Sequence, residues 1–293
     1  MFNYAIYGNN NPFTDILSEK ELLAINPEEL VSLVKQMCSY KHRVFYYGTS
    51  DMATIAAKLK KSHATPDAML SIPQEKRYEE QPTSKNTVYL VDYDMVQSNV
   101  IFVSLDDKFN KSYIPFSRLF GEYFGGGLSS IVFQEIREAK GLAYSAFAGF
   151  TTPEKPYERH RTFAFVGTQS DKLKIATDAM ISLMNDMPMA EKQFNGAKDG
   201  ILKKIDSERI TKASIFWTYL SNQDRGIDYD IRRDVYDYAK KTNINEFRGF
   251  FDKHIKGKNY TFVVIGKKST IDMKVLGELG EIKELSLEQL FGY

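Results

Sequence analysis

The sequence predicts an α+β domain: a mostly antiparallel sheet with helices packed on it. Two observations carry this. Short β-rich runs are interleaved with longer amphipathic helical stretches. The first two strand-like runs of the main region are separated only by the turn around Asp92–Gln97, too short for the crossover that parallel strands need.

The elements follow in order. Thr87–Asp92 and Ser98–Ser104 read as strands, rich in Val, Ile, Tyr and Phe. Ser112–Phe124 reads as a helix closed by Gly125-Gly126-Gly127. Two serines then start a helix from Leu128 to Lys140, with Leu128, Val132 and Ile136 as its apolar stripe. Gly141 ends it. Ala143–Phe150 and Arg161–Gly167 alternate as strands, joined by a loop holding Pro153 and Pro156. Helices are expected over Ser170–Met187, Ala190–Arg209, Thr211–Arg225 and Asp230–Lys241, then a helix headed by Asn243 and a strand Tyr260–Ile265.

Bulk composition removes whole classes of function. With 43% apolar and 26% charged residues the chain is ordinary for a globular protein of one or two domains. A net charge of +1 offers no electrostatic footprint for nucleic acid or a membrane surface. No apolar run approaches the roughly 18 residues of a membrane span. The start, Met1–Ala5, has neither a basic region nor an apolar signal core, so no export signal is expected. A single cysteine, Cys38, excludes an internal disulfide framework and reads as a small buried hydrophobe.

A unit recurs within the chain. Asn26-Pro27 opens a helical stretch with Leu30, Leu33, Val34 and Met37 on one face, followed by Arg43–Gly48 and Asp51-Met52. Asn243-Ile244 opens another with Phe247, Phe250, Phe251 and His254, followed by Tyr260–Gly266 and Asp272-Met273. The offset from Leu30 to Phe247 is about 217 residues, the size of a domain. The second copy has room for a whole domain and the first does not. Residues 1–66 are therefore expected to be the C-terminal part of a truncated homologous domain. Residues 67–84, with Pro73 and Pro82, form a linker, and residues 85–293 the complete domain. An unpaired apolar strand in the first copy would seek a partner, so this segment is expected either to pack against the main domain or to mediate self-association of the chain.

The stretch Gly125-Gly126-Gly127-Leu128-Ser129-Ser130-Ile131-Val132-Phe133-Gln134-Glu135-Ile136-Arg137-Glu138-Ala139-Lys140-Gly141-Leu142-Ala143-Tyr144-Ser145 is compositionally unusual. It resembles, without gaps, the glycine-rich helix-to-strand signature of the pitrilysin-type (M16) zinc metallopeptidases. It departs from that pattern where an Arg usually follows the serine pair; here Ile131-Val132 stand. The resemblance implies a clam-shaped enzyme built from homologous α+β domains. It implies zinc held by the two His of an H-x-x-E-H helix plus a downstream Glu, with the Glu inside the motif activating water.

This chain has no such motif. His42, His63, His160 and His254 have neither a second His four residues on nor a Glu three residues on. His42 and His63 read as solvated, His160 as the head of a strand, His254 as a cation at a helix end. The triple glycine lacks phosphate-cradling spacing, and Ser129-Ser130 lack a nucleophile elbow. Glu135 and Glu138 read as a solvated helix face. The chain is thus expected to bind no zinc and to be inactive alone, its zinc held by an N-terminal half or subunit absent from it.

The resemblance does assign a role to one pair. In such enzymes an Arg and a Tyr seven residues apart in this signature reach across the chamber and hydrogen-bond the peptide near the scissile bond. The matching residues are Arg137 and Tyr144. A guanidinium offers fixed donors to carbonyl oxygens, and a phenol can donate to an oxyanion. The expected function is the zinc-free C-terminal portion of such a metallopeptidase, closing the chamber and supplying this pair to a peptide substrate. The alternative is a non-catalytic peptide-binding or scaffold subunit that partners a separate zinc-bearing chain.

Overall fold

Six strands form one mixed sheet in the computed structural model, which describes residues 1–292. They are β1 (Thr87–Asp92), β2 (Gln97–Lys108), β3 (Ser145–Thr151), β4 (Arg159–Gln169), β5 (Thr261–Gly266) and β6 (Glu281–Glu284). The spatial order is β3-β4-β2-β5-β1-β6. The β3–β4, β4–β2 and β2–β5 pairings are antiparallel, whereas β5–β1 and β1–β6 are parallel. The short turn after β1 does reverse the chain, but β5 inserts between β1 and β2, so the two do not form a hairpin. The reason lies in β5 itself. Phe262, Val263 and Val264 are all buried, so this strand is apolar on both faces and belongs at the centre of the sheet. β6 reads Glu-Ile-Lys-Glu, too short and charged to show in the sequence pattern; those charges suit an outer edge.

One face carries the main core. The helix Ile114–Phe120 buries Phe116, Leu119 and Phe120. The helix Ile244–His254 brings Phe247 and Phe251 against them, with Phe116 and Phe247 stacked at 4.7 Å between ring centroids. Asn243 caps that helix, accepting from the Asn245 and Glu246 amides, while the Glu246 carboxylate accepts from the Asn243 amide. Helices Leu173–Asn185, Glu191–Ser207 and Arg232–Lys241 complete the layer. The helix Ala213–Asp224 forms where expected but buries only Asn222.

The opposite face is covered from the two ends of the described chain. A helix over Phe2–Tyr7 seats Ala5 and Ile6 on Val103 and Val263. The helix Leu287–Phe291 places Leu290 beside Val91 and Leu285.

The first copy of the repeated unit keeps its helices but not its core. Asn26 caps the helix Pro27–Gln36, accepting from the Glu28 amide. Asp51 caps the helix Met52–Ser62, as Asp272 caps Met273–Leu279. Yet no residue from 12 to 86 is buried. Leu30, Leu33, Val34 and Met37, expected to pack inward, are exposed, and so is Cys38. The expected strand at Arg43–Tyr47 does not form; an isolated bridge between Tyr40 and Leu70 is the nearest pairing. No sheet lies beneath this helix, so its apolar stripe has nothing to bury against. Residues 73–84 have no regular element and are fastened to the main sheet. The Glu80 carboxylate pairs with Arg161 at 2.8 Å, the Gln81 amide donates to the Ile6 carbonyl, and the Leu105 amide donates to Thr83 Oγ1.

Candidate functional site

The glycine-rich stretch joins the helix layer to the edge of the sheet. The helix from Ile114 continues as a wide π turn over Gly121–Gly125. Its end lies directly on β3. A Cβ added at Gly125 would stand 1.9 Å from the Ala148 carbonyl oxygen, so only glycine allows this approach. The Ser117 hydroxyl donates to the Phe150 carbonyl next to it. The outer edge of β3 is thereby covered over Ala148–Phe150.

Ser130 is buried and its Oγ accepts from the Phe133 amide at 3.4 Å, the capping role expected of the serine pair. Ser129 is exposed. The helix begins only at Ile131, so Leu128 lies outside it and is exposed, contrary to the expected stripe. Ile131, Val132 and Ile136 make the packing instead. Phe133–Ala139 runs as a second π turn. Such turns concentrate at functional sites.

Gly141, at φ +55°, ends the turn with its amide on the Arg137 carbonyl at 3.1 Å, and the Leu142 amide reaches the Ile136 carbonyl at 3.0 Å. The chain then reverses. The Tyr144 amide donates to the Gly167 carbonyl at the end of β4, one residue before β3 begins.

This reversal brings Arg137 and Tyr144 together. The guanidinium carbon lies 5.9 Å from the Tyr144 ring centroid and 4.8 Å from that of Phe133. Its ion contact is Nε to Glu138 at 3.7 Å, both side chains being about half exposed. Tyr144 is 74% exposed. The pair therefore offers a fan of guanidinium donors and a phenol hydroxyl to one side of the helix–strand junction, none of them consumed by the core. Phe133 was not singled out in the sequence; its spacing of four residues from Arg137 on a helix was the available signal.

The four histidines have structural or mutual partners. His42 and His63 are not simply solvated, since their Nε2 atoms meet at 2.7 Å on the surface. His160 is fully buried; its Nδ1 donates to the Thr151 carbonyl and its Nε2 accepts from the Asn110 amide. Burial holds its pKa below the usual histidine value. His254 is buried as well, its Nδ1 donating to Asp106 Oδ2 at 2.6 Å, while Lys258 Nζ binds Asp106 Oδ1 at 3.0 Å.

Among the described residues, one group of three potential metal ligands converges: Asp106, Asp107 and His254. It does not fit a zinc ion. Both Asp106 oxygens are occupied, one by a lysine cation, and the Asp107 carboxylate accepts from the Tyr113 hydroxyl.

Comparison with known proteins shows the family and the fold. The family model of the peptidase M16 inactive domain matches residues 24–201. The chain belongs to that family, the M16 domains without a zinc site. No curated protein matches the sequence. Among solved structures, the chain is similar to a peptidase M16 inactive domain from Pseudomonas fluorescens. Identity is 16%, coverage 97% of this chain and 65% of that one, and the TM-score 0.63. It is also similar to the ferredoxin protease FusC, solved in complex with Arabidopsis ferredoxin: 11% identity, 90% of this chain, 29% of that one, TM-score 0.64. A chain of complex III2 from Candida albicans shares 11% identity over 80% of this chain and 57% of that one, at a TM-score of 0.54. At such identities these likenesses speak to the fold alone. The chain spans less than two thirds of each of these structures.

Proposed function

We propose that this chain is the zinc-free portion of an M16 metallopeptidase, and that it closes a peptide-degradation chamber and presents Arg137 and Tyr144 to the bound peptide. The observation that carries this is the exposed pairing of the two side chains at the junction of helix and strand, with no side-chain hydrogen bond of either to another of the described residues. Arg137 would hold peptide carbonyl oxygens, and the Tyr144 hydroxyl would donate to the oxyanion that forms when water attacks. Zinc would be held by another half or subunit and would supply the activated water there. A protein substrate is in keeping with the FusC complex, which holds a ferredoxin.

The domain layout belongs to the same proposal. Residues 85–293 are one domain, residues 1–66 hold the C-terminal part of a second domain of the same kind, and residues 67–84 join them. Supporting this, the Asn-capped helix and the Asp-capped helix recur in both copies, and the first copy has no core of its own. The alternative is a non-catalytic peptide-binding or scaffold subunit that partners a separate zinc-bearing chain; the fold shared with a chain of a multi-subunit assembly, complex III2 of Candida albicans, is in keeping with it.

Turnover decides between them. In the complex of this chain with a zinc-bearing M16 half, Arg137→Ala and Tyr144→Phe should each cut turnover of a fluorogenic peptide about 10²-fold or more, the scale of one lost oxyanion donor. Zinc content should not change. The isolated chain should neither cleave the peptide nor retain stoichiometric zinc after dialysis. Near-normal turnover in both variants would leave the scaffold reading.

A further inference from the structure

We propose that Phe133 is the positioning residue of this site: its ring holds the Arg137 guanidinium beside Tyr144. This inference rests on the reading that Arg137 meets the peptide. An arginine at the surface loses much rotamer freedom when it is held in one place, so something must favour the observed pose. Ordinary anchors are missing. Among the described residues the one ion contact of Arg137 is with the adjacent Glu138, 3.7 Å away and itself exposed. Among the described residues the Arg137 side chain makes no hydrogen bond shorter than this contact.

What does surround the guanidinium is aromatic. Phe133 lies on the preceding turn, with its ring centroid 4.8 Å from the guanidinium carbon, the closer of the two rings. Phe133 is half-buried, whereas Tyr144 is 74% exposed. The better-anchored ring is therefore Phe133, and Tyr144 is the freer partner. A ring face attracts a cation and leaves the guanidinium edge, where the N–H donors lie, open to a ligand. A carboxylate anchor would consume those donors. An aliphatic side chain at 133 could fill the same space but would not attract the charge.

The test uses one variant that removes the ring, Phe133→Leu, and one that keeps it, Phe133→Tyr. The first measurement needs no partner: NMR of the Arg137 side-chain Nε–H and Cδ protons in the full chain, assigned by their loss in Arg137→Ala. Ring-current shifts should mark these protons in the native protein and in Phe133→Tyr. They should collapse toward free-arginine values in Phe133→Leu. Unchanged Arg137 signals in Phe133→Leu would overturn the proposal.

The second measurement is peptide turnover in the complex with a zinc-bearing half. Phe133→Leu should lower kcat/KM about two- to five-fold, the scale of one exposed cation–π contact, and Phe133→Tyr should restore it. Adding Phe133→Leu to Arg137→Ala should cost nothing more. Full turnover in Phe133→Leu, with Arg137→Ala impaired, would also overturn it. Unimpaired Arg137→Ala would instead sink the proposed function, leaving the NMR result to judge the contact itself.

Discussion

Replacing Gly125 by alanine should damage this fold more than its place at the head of a run of three glycines suggests. The added Cβ would lie 1.9 Å from the Ala148 oxygen, 2.5 Å from its carbonyl carbon and 3.0 Å from its Cα. Carbon atoms pack at about 3.5–4.0 Å, so the helix end and β3 must separate by more than about 1 Å. Backbone stands on both sides of the clash, and no rotamer change relieves it. Overpacking of this kind costs about 1–3 kcal/mol, and a backbone clash belongs at the upper end. Alanine returns less than about 1 kcal/mol through its better helix propensity. The net loss is about 2 kcal/mol, which for a domain of this size lowers Tm by about 4–8 °C. Gly127→Ala is the control, because nothing lies within 4 Å of its added Cβ. It should shift stability by no more than about 0.5 kcal/mol. Thermal unfolding followed by circular dichroism compares the three proteins. If Gly125→Ala melts with the native protein, the contact between the glycine-rich turn and β3 does not hold.

Four further outcomes follow from which groups are buried and which are not. His160 has a lowered pKa because it is buried, and the Asn110 amide already donates to its Nε2. A histidine held neutral contributes its full stability above the unfolded value near 6.5 and loses it as the pH falls through the folded value. Tm should therefore drop more steeply between pH 7 and pH 5 in the native protein than in His160→Gln; equal slopes would contradict this. Asp106→Asn should destabilise by about 3 kcal/mol in urea, because it strips the charge from a buried ion pair that faces His254 and Lys258, and a loss below about 1 kcal/mol would show that the cluster is not coupled. Ile6→Ala should cost about 2–5 kcal/mol as a core truncation. Leu30→Ala should stay within about 0.5 kcal/mol as a surface change, and a large effect there would mean that the helix Pro27–Gln36 has a core partner in solution.

Local chemistry made several features readable in advance. Asn26, Asp51, Asn243 and Asp272 act on amides two or three residues away, so each helix start could be recognised without knowing the fold. Gly141 likewise closes a turn within its own neighbourhood, and that turn sets Arg137 and Tyr144, which the resemblance alone had singled out, beside each other. Strands β1 to β5 were evident from their apolar content and alternation, β1 with the bounds expected and the others with ends misjudged by a few residues.

Other features depended on partners distant in the chain. β5 enters between β1 and β2 because both of its faces are apolar, and no turn signal near β1 could announce a strand some 170 residues later. Asp106 finds His254 and Lys258 about 150 residues away, so a buried charge cluster looked like an ordinary acidic residue and a helix-end histidine. The stripe of the helix Pro27–Gln36 has the same pattern as that of Ile244–His254, yet one is exposed and the other buried. Periodicity states which side of a helix is apolar. Whether that side is buried depends on a sheet being there to receive it, and here only the second copy has one.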